Sequence, residues 1–431
     1  MIVGEGRQVA KDELLRVLTP GGVALIEDGG KLKKIEKPRP AEMDDWTHAL
    51  HDPTNNAVAH DDLIQPLGCY QWLADQRYSR QHDHMSAISA VVSAGGRVFY
   101  IIDEAPRESI LIPPDWKLVA RDAFNGTPLW SKSIPLWHPH LWRLKSGPQL
   151  LTRRLVAVGD RVYVTLRIDG PVSVLDAATG ETIRELEGTQ ATEEILATDD
   201  GRLILAVAPE GAPLRSDPYK KYATVRDMEA DVTNPVWSLA PRVVMAVDPN
   251  SGEIAWKHET DLVPMSLTAD AEHVYFHDGK AMQCLDRKTG ESVWTSEPLP
   301  VNLKMRSSGG ATVVAYKDVL LYGGQVPFKN PEFPGSTTIY ALSTKTGKLL
   351  WTGEHPVCGH MGTPEDILVI DDLAWVGHVA KGTDSGNDRV RRAHRRSEET
   401  LHPRRRNALV PPPLLPGEGD RQLPAVLADG H

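Results

Sequence analysis

The chain has 431 residues, of which 41% are apolar, and it carries 11 tryptophans, 35 glycines, 33 prolines and a formal charge of −10. This length supports a large core, and the acidic balance provides no electrostatic surface for nucleic acid. Three dispersed cysteines exclude a disulfide scaffold and a cysteine-based zinc ribbon, and no apolar run is long enough to span a membrane.

Residues 1–30 are the first predicted unit. The stretch D-E-L-L-R-V-L-T-P-G-G-V-A-L-I at 12–26 predicts a short helix, a Pro-Gly-Gly turn and a buried strand. It resembles the late helix–strand element of class I methyltransferases, which implies a C-terminal remnant of such a domain without its cofactor site. A plain helix and strand that cap the next domain are the alternative. The basic, proline-flanked residues 31–42 predict a linker.

Histidines cluster near the start of the predicted main domain, residues 43–385. In D-D-W-T-H-A-L-H-D at 44–52, His48 and His51 share one face if the stretch is helical. In R-Q-H-D-H-M at 80–85, His82 and His84 share one face of a strand. Imidazoles beside carboxylates bind zinc, copper or iron, so these four histidines are candidate metal ligands. Histidines that hydrogen-bond to loops are the alternative.

A turn motif recurs five times between residues 118 and 351. It has an apolar strand that ends in Asp, three turn residues, a Gly, and a Trp four residues later. The polar residues and the Gly predict a hairpin turn, and the Trp is large enough to wedge between packed sheets. The recurring residues are Asp122, Gly126 and Trp130; Asp176 and Gly180; Asp248, Gly252 and Trp256; Asp286, Gly290 and Trp294; and Gly347 and Trp351.

Another strand, introduced by its own turn, precedes most copies, and one at 371–375 has no copy after it. Short strands repeated at irregular spacing predict an all-β fold, a β-propeller of four-stranded antiparallel blades. About five to six blades are present and the ring is expected to be incomplete. A short α/β segment precedes the propeller.

Residues 86–380 resemble the pyrroloquinoline-quinone (PQQ) type propeller repeat, with its A-x-D-x-x-T-G-x-x-x-W docking signature. That family includes quinoprotein dehydrogenases and also cofactor-free propellers such as the outer-membrane-protein assembly lipoprotein. The two histidine stretches resemble large propeller proteins of planctomycete type, in which a methyltransferase-like portion often precedes the propeller. Such propellers are usually exported, which implies the cell envelope, although residues 1–30 lack the pattern of a signal peptide.

The last 56 residues, after Trp375, contain no aromatic residue, and residues 389–431 carry nine arginines and no lysine. As protein, residues 386–431 read as a disordered Pro/Arg-rich tail. Alternatively, permitted codons read one base later yield another copy of the turn motif and an H-H-R-C-Y stretch. The tail is therefore a candidate for translation out of frame.

Three functions follow from these observations and the resemblance. The first is a binding or scaffold propeller without a catalytic site, whose loops bind a protein or a small molecule. The second is a PQQ- and Ca²⁺-dependent dehydrogenase, although the vicinal cysteine pair common in quinoprotein alcohol dehydrogenases is absent from the sequence. The third is a propeller with a histidine-rich metal site. The fold does not decide between them, and the first is preferred.

Overall fold

In the computed structural model, a small N-terminal unit precedes a ring of β-sheets. The structure describes residues 3–4, 10–28, 30–63, 68, 70–74, 88–106, 108, 112–137, 149–212, 241–301, 311–323, 336–356, 367–376 and 402–405. Within these residues, no helix is both long and apolar enough to cross a membrane.

The N-terminal unit is a three-stranded sheet with one helix. Val23–Asp28 is the middle strand, parallel to Val3–Gly4 and antiparallel to Lys31–Glu36. The helix Lys11–Val17 buries Leu14 against this sheet. The predicted short helix, turn and strand are therefore present, and Ala24 is the buried residue among residues 23–27.

The start of the expected linker 31–42 contains a strand. Lys31–Glu36 pairs with Val23–Asp28, because Gly30 with φ +77° closes a hairpin that joins Asp28 to Lys31. Residues 37–42 follow without a helix or strand.

The described residues after this unit form six blades, numbered 1 to 6 in chain order. Blades 1 to 5 are four-stranded antiparallel sheets, and blade 6 has two antiparallel strands and a short parallel one. These sheets confirm the predicted propeller architecture. The strands are Ile88–Ala94, Arg97–Asp103, Trp116–Asp122 and Pro128–Ser133 in blade 1; Leu155–Val158, Arg161–Thr165, Val172–Asp176 and Thr182–Glu185 in blade 2; Thr192–Ala197, Leu203–Val207, Pro241–Val247 and Ile254–Asp261 in blade 3; Thr268–Ala269, His273–His277, Ala281–Asp286 and Ser292–Pro298 in blade 4; Thr312–Tyr316, Val319–Gly323, Ser336–Ser343 and Leu349–Pro356 in blade 5; and Ile367–Ile370, Leu373–Val376 and His402–Arg405 in blade 6.

Consecutive blades pack face to face through apolar side chains. Phe99 and Leu118 of blade 1 meet Leu155 and Val164 of blade 2, and four further apolar clusters join blades 2 to 6 in sequence. No apolar cluster among the described residues joins blade 6 to blade 1. The outer faces of these two blades leave large side chains exposed, among them Val91 and Ile370. Whether the ring closes stays a prediction of the sequence.

Three tryptophans of the repeat each dock their blade on the next one. The Trp130 indole lies against Gly180 and donates its N–H to the carbonyl of Ala177, at 3.0 Å. In each case the acceptor follows the first residue of the turn, and a Cβ on the turn glycine would lie less than 3.0 Å from the indole. The equivalent docks are Trp256 on Arg287 and Gly290, and Trp294 on Thr344 and Gly347.

Trp72 makes the same contact with blade 1, which the repeat pattern did not predict. Its indole covers Gly126 and donates to the carbonyl of Ala123 at 2.8 Å. Trp72 therefore occupies the position of the docking tryptophan of a unit that would precede blade 1 around the ring. Conversely, the indole N–H of Trp351 in blade 5 has no acceptor among the described residues, which do not include a turn of blade 6 equivalent to the one that receives Trp294.

Alanine at Gly290 is expected to destabilise the protein more than alanine at Gly201. Both glycines have positive φ, 74° and 82°, so both variants share the backbone strain. Only at Gly290 does the new Cβ clash with an indole, that of Trp256, which we expect to cost about 1–3 kcal/mol more. Urea unfolding of the two variants measures this difference, and equal losses of stability would contradict the docking role of the tryptophan.

The ring has two unlike faces. Because the strands alternate in direction, the turns after the first and third strands of each blade lie on one face, called the turn face. The connections after the second and fourth strands begin and end on the opposite face, called the connection face. The turns are short, whereas several connections are long, namely 104–115, 134–154, 208–240, 299–311, 324–335 and 357–366.

Candidate functional site in the propeller channel

Residues 46–56, called the hub segment, run through the centre of the ring. The first strand of each blade has one edge without a neighbouring strand, and its N–H groups there need acceptors. In all six blades, the same N–H group, on the last or penultimate residue of the first strand, finds its acceptor in the hub segment. The bonds run from Ser93 N to Trp46 O (2.7 Å), Ala157 N to Thr47 O (3.0 Å), Ala197 N to His48 Nε2 (2.9 Å), Ala269 N to Pro53 O (2.8 Å), Ala315 N to Thr54 O (3.0 Å) and Val369 N to Asn56 Oδ1 (2.8 Å).

The path of the hub segment follows the order of the blades. Between its contacts with blades 3 and 4, the segment forms a tight hairpin in which His48 and His51 pair as an isolated antiparallel bridge. The amides of Thr47 and His48 both donate to the carbonyl of His51. The helix considered for this stretch is therefore absent, and a β-turn takes its place.

Asn55 joins the hub segment to two blades and to a buried charge. It adopts φ +61°, a conformation that asparagine tolerates better than most residues. Its amide donates to the carbonyls of Leu267 and Val313, both at 3.0 Å, and its Oδ1 accepts from Arg153 at 2.5 Å. All these groups are removed from solvent, so each depends on the others for its partner.

The central channel of the ring, through which the hub segment runs, contains two buried side chains of opposite charge. Arg153 is 3% exposed and Glu194 is fully buried. Burial lowers the pKa of Arg153, and the carboxylate of Glu194 opposes this effect. Glu194 also accepts from the amide of Met265 at 2.8 Å. The positive charge that faces Glu194 is thus supplied by the protein itself.

His48 is held neutral. Its Nε2 accepts from the amide of Ala197, so its proton lies on Nδ1, 2.7 Å from the Thr47 hydroxyl, which itself donates to the carbonyl of His51. Burial lowers the pKa of His48 to about 3. Both ring nitrogens are therefore engaged in hydrogen bonds, Nε2 with Ala197 and Nδ1 with Thr47.

His51 lies between two carboxylates at the mouth of the channel. Its Nε2 is 2.6 Å from Asp44 and its Nδ1 is 3.3 Å from Asp52. Burial opposes protonation, yet the bonds to Asp52 and Asp44 raise the pKa of His51 above its ordinary value. Burial likewise opposes ionisation of Asp44, but the amide of His60 and the ring of His51 keep its pKa low. These residues line an open cleft of about 600 Å³ together with Arg39, Met43, Asp45 and Thr47.

The four candidate metal ligands are not brought together by the described part of the chain. His48 is occupied by hydrogen bonds, and His51 is held by two aspartates. His82 and His84 lie outside the described residues. Across the residues that the structure describes, no group of three or more histidine, cysteine, aspartate or glutamate side chains is arranged to hold a metal ion.

A Ca²⁺–PQQ pair does not fit the described channel. Calcium requires several convergent oxygen ligands. Asn55 Oδ1 already accepts from Arg153, and Glu194 Oε1 already accepts from the Met265 amide. A cation bound to Glu194 would face the guanidinium of Arg153, and the hub segment fills the inner edge of all six blades.

Replacing His48 by glutamine is expected to make the free energy of unfolding fall less steeply as the pH is lowered. The unfolded imidazole takes up a proton as the pH falls below about 6.5, whereas the folded one does so only near 3. The contribution of His48 is therefore present above pH 6.5 and is lost towards pH 3, at up to about 1.4 kcal/mol per pH unit.

Urea unfolding of both proteins at pH 6 and pH 4 measures this effect. Burial also lowers the pKa of His277, to about 4, so the informative quantity is the difference between the wild type and His48→Gln. A difference that stays the same at both pH values would contradict a neutral, buried His48.

Sequence comparison matches part of the ring to one known family. Residues 236–357, which include the outer half of blade 3 and blades 4 and 5, match the family model of the outer membrane protein assembly factor BamB. This part of the chain thus carries a BamB-like repeat. None of the curated protein sequences matches the chain significantly.

Solved structures similar to the chain include propellers of several kinds. BamB from Moraxella catarrhalis is 17% identical, with 62% of this chain and 61% of that chain covered and a TM-score of 0.35. The quinohemoprotein alcohol dehydrogenase from Comamonas testosteroni is 13% identical, covers 75% of this chain and 52% of its own, and has a TM-score of 0.40. The chain therefore spans about three fifths of the first protein and half of the second. Neither the family model nor these structures support the methyltransferase resemblance of residues 1–30.

Proposed function

We propose that the chain is a binding or scaffold propeller that engages its partner through the connection face and has no catalytic centre in the channel. The observation that carries this proposal is the hub segment, which provides acceptors to the inner edge of all six described blades. A ligand at that level would have to displace the chain itself. The description of the family that matches residues 236–357, an assembly factor, agrees with a non-catalytic role.

The connection face is the surface that remains for a partner. Long connections between rigid strands are where binding residues usually lie. The turn face, by contrast, consists of short turns whose Asp side chains are used to hold their own backbone, as Asp286 does with the amides of Lys288 and Thr289.

The absence of a quinone site is tested by reconstitution. We expect the purified chain, mixed with PQQ and Ca²⁺, to retain no cofactor absorbance after gel filtration and to show no dye-linked alcohol oxidation. Metal analysis of the same sample tests the histidine alternative. Stoichiometric PQQ with alcohol oxidation, or a stoichiometric transition metal, would overturn the proposal.

The assignment of the binding face is tested with a photo-crosslinking amino acid at two exposed positions of blade 4. Lys280 lies in the connection between the second and third strands, and Lys288 lies in the turn between the third and fourth. We expect a discrete crosslinked adduct in the native host from position 280 and none from position 288. An adduct from position 288 alone, or equal adducts from both, would contradict the assignment.

A further inference from the structure

The hub segment has the features of a bound peptide rather than of a strand in a sheet. It crosses six blades and makes one equivalent hydrogen bond with the first strand of each. Four of the six acceptors are main-chain carbonyls, so most of the recognition depends on the path of the backbone. Peptides that bind to the edges of sheets are recognised in the same way, with side-chain sites adding specificity.

Side chains fix the position of the segment at its second half. The amide of Asn56 both donates to and accepts from the backbone of Val369, at 3.1 and 2.8 Å. Asn55 spans the carbonyls of blades 4 and 5 and accepts from Arg153. Because the two asparagines are adjacent, a segment shifted by one residue would leave one of these two sets of partners without an asparagine.

We propose that the six inner-strand N–H groups form a peptide-recognition site, which the chain occupies with its own residues 46–56. The ligand class is a peptide with a central hairpin turn that presents carbonyl oxygens to successive blades and two adjacent asparagines to the last ones. The site is distinct from the connection face, so this proposal stands or falls separately from the proposed function.

Residues 57–87 connect the hub segment to blade 1, and this connection can be cut. Leu63 is 46% exposed and lies before Trp72, which docks on blade 1. A protease recognition sequence inserted after Leu63 would therefore separate the hub segment from all six blades without removing any blade contact.

The experiment compares the full chain before and after cleavage at the inserted sequence. We expect the fragment containing residues 1–63 to remain bound to the blades on native gel filtration. Separation of the fragment, whether the blades stay folded or aggregate, would overturn the proposal. Retention of the fragment that is unchanged by Asn55→Ala would also overturn the proposal, because the N-terminal sheet rather than the hub segment would then hold the fragment.

A peptide arm keeps the test independent of how the variant folds. The cleaved fragment is removed in urea, and a fluorescent peptide with the sequence of residues 42–62 is added on refolding. We expect saturable binding, at least about tenfold weaker for a peptide that carries Asn55→Ala, a factor that corresponds to about 1.4 kcal/mol. Failure of the wild-type peptide to bind, or equal binding of both peptides, would contradict the proposal.

Discussion

Replacing Asn55 by alanine is expected to lower the free energy of unfolding by about 3–5 kcal/mol. The change leaves the carbonyls of Leu267 and Val313 without their side-chain donor, and the buried guanidinium of Arg153 keeps only its longer bond, of 3.4 Å, to the carbonyl of Met265. Removing one member of a buried polar network costs the desolvation of every group left behind.

Urea unfolding measures this loss, and Asn250→Ala is the matched control. Asn250 is exposed in a turn of blade 3, so its replacement should change the stability by less than about 0.5 kcal/mol. A similar, small effect for both variants would show that Asn55 does not hold the hub segment.

Replacing Arg242 by methionine is expected to cost a comparable amount, about 3–5 kcal/mol. Arg242 and Glu193 form a bidentate ion pair in blade 3, with bonds of 2.9 and 3.0 Å, and both side chains are fully buried. Without the guanidinium, the carboxylate of Glu193 loses its counter-charge in a place that water does not reach.

Two comparisons test this explanation. The double variant Glu193→Leu with Arg242→Met should recover much of the stability lost in the single variant, because it removes the buried charge as well. Arg16→Met should have little effect, since the bidentate pair of Arg16 and Glu13 lies at the surface. A double variant less stable than Arg242→Met would contradict the explanation.

The blades could be predicted from the sequence because their signals are local. Asp286, Gly290 and Trp294 lie within nine residues, and each has a role that a neighbouring residue or the next turn explains. Trp72 escaped the pattern because Ile64 stands where the repeat has Asp, although Gly68 precedes Trp72 by four residues as in the repeat. Each docking tryptophan packs on the turn glycine of the next blade. Gly126 is the first of the five turn glycines and has no repeat tryptophan before it, and this gap could have revealed Trp72.

The channel could not be predicted, because its bonds are long-range. Asn55 finds its partners about 100 to 260 residues away, and nothing in the sequence links it to Arg153. His48 and His51 are candidate metal ligands from the sequence because imidazoles beside carboxylates bind metals. In the structure, His48 accepts from one amide and His51 lies between two carboxylates. These contacts depend on a hairpin that the sequence of residues 44–52 does not predict.

Residue-resolved hydrogen exchange of the intact chain tests most directly whether the hub segment occupies the centre of the ring. We expect slow exchange, comparable to that of the second strands of the same blades, at the inner-edge amides of Ser93, Ala157, Ala197, Ala269, Ala315 and Val369. Fast exchange at these six amides while the second strands remain protected would show that the channel is open.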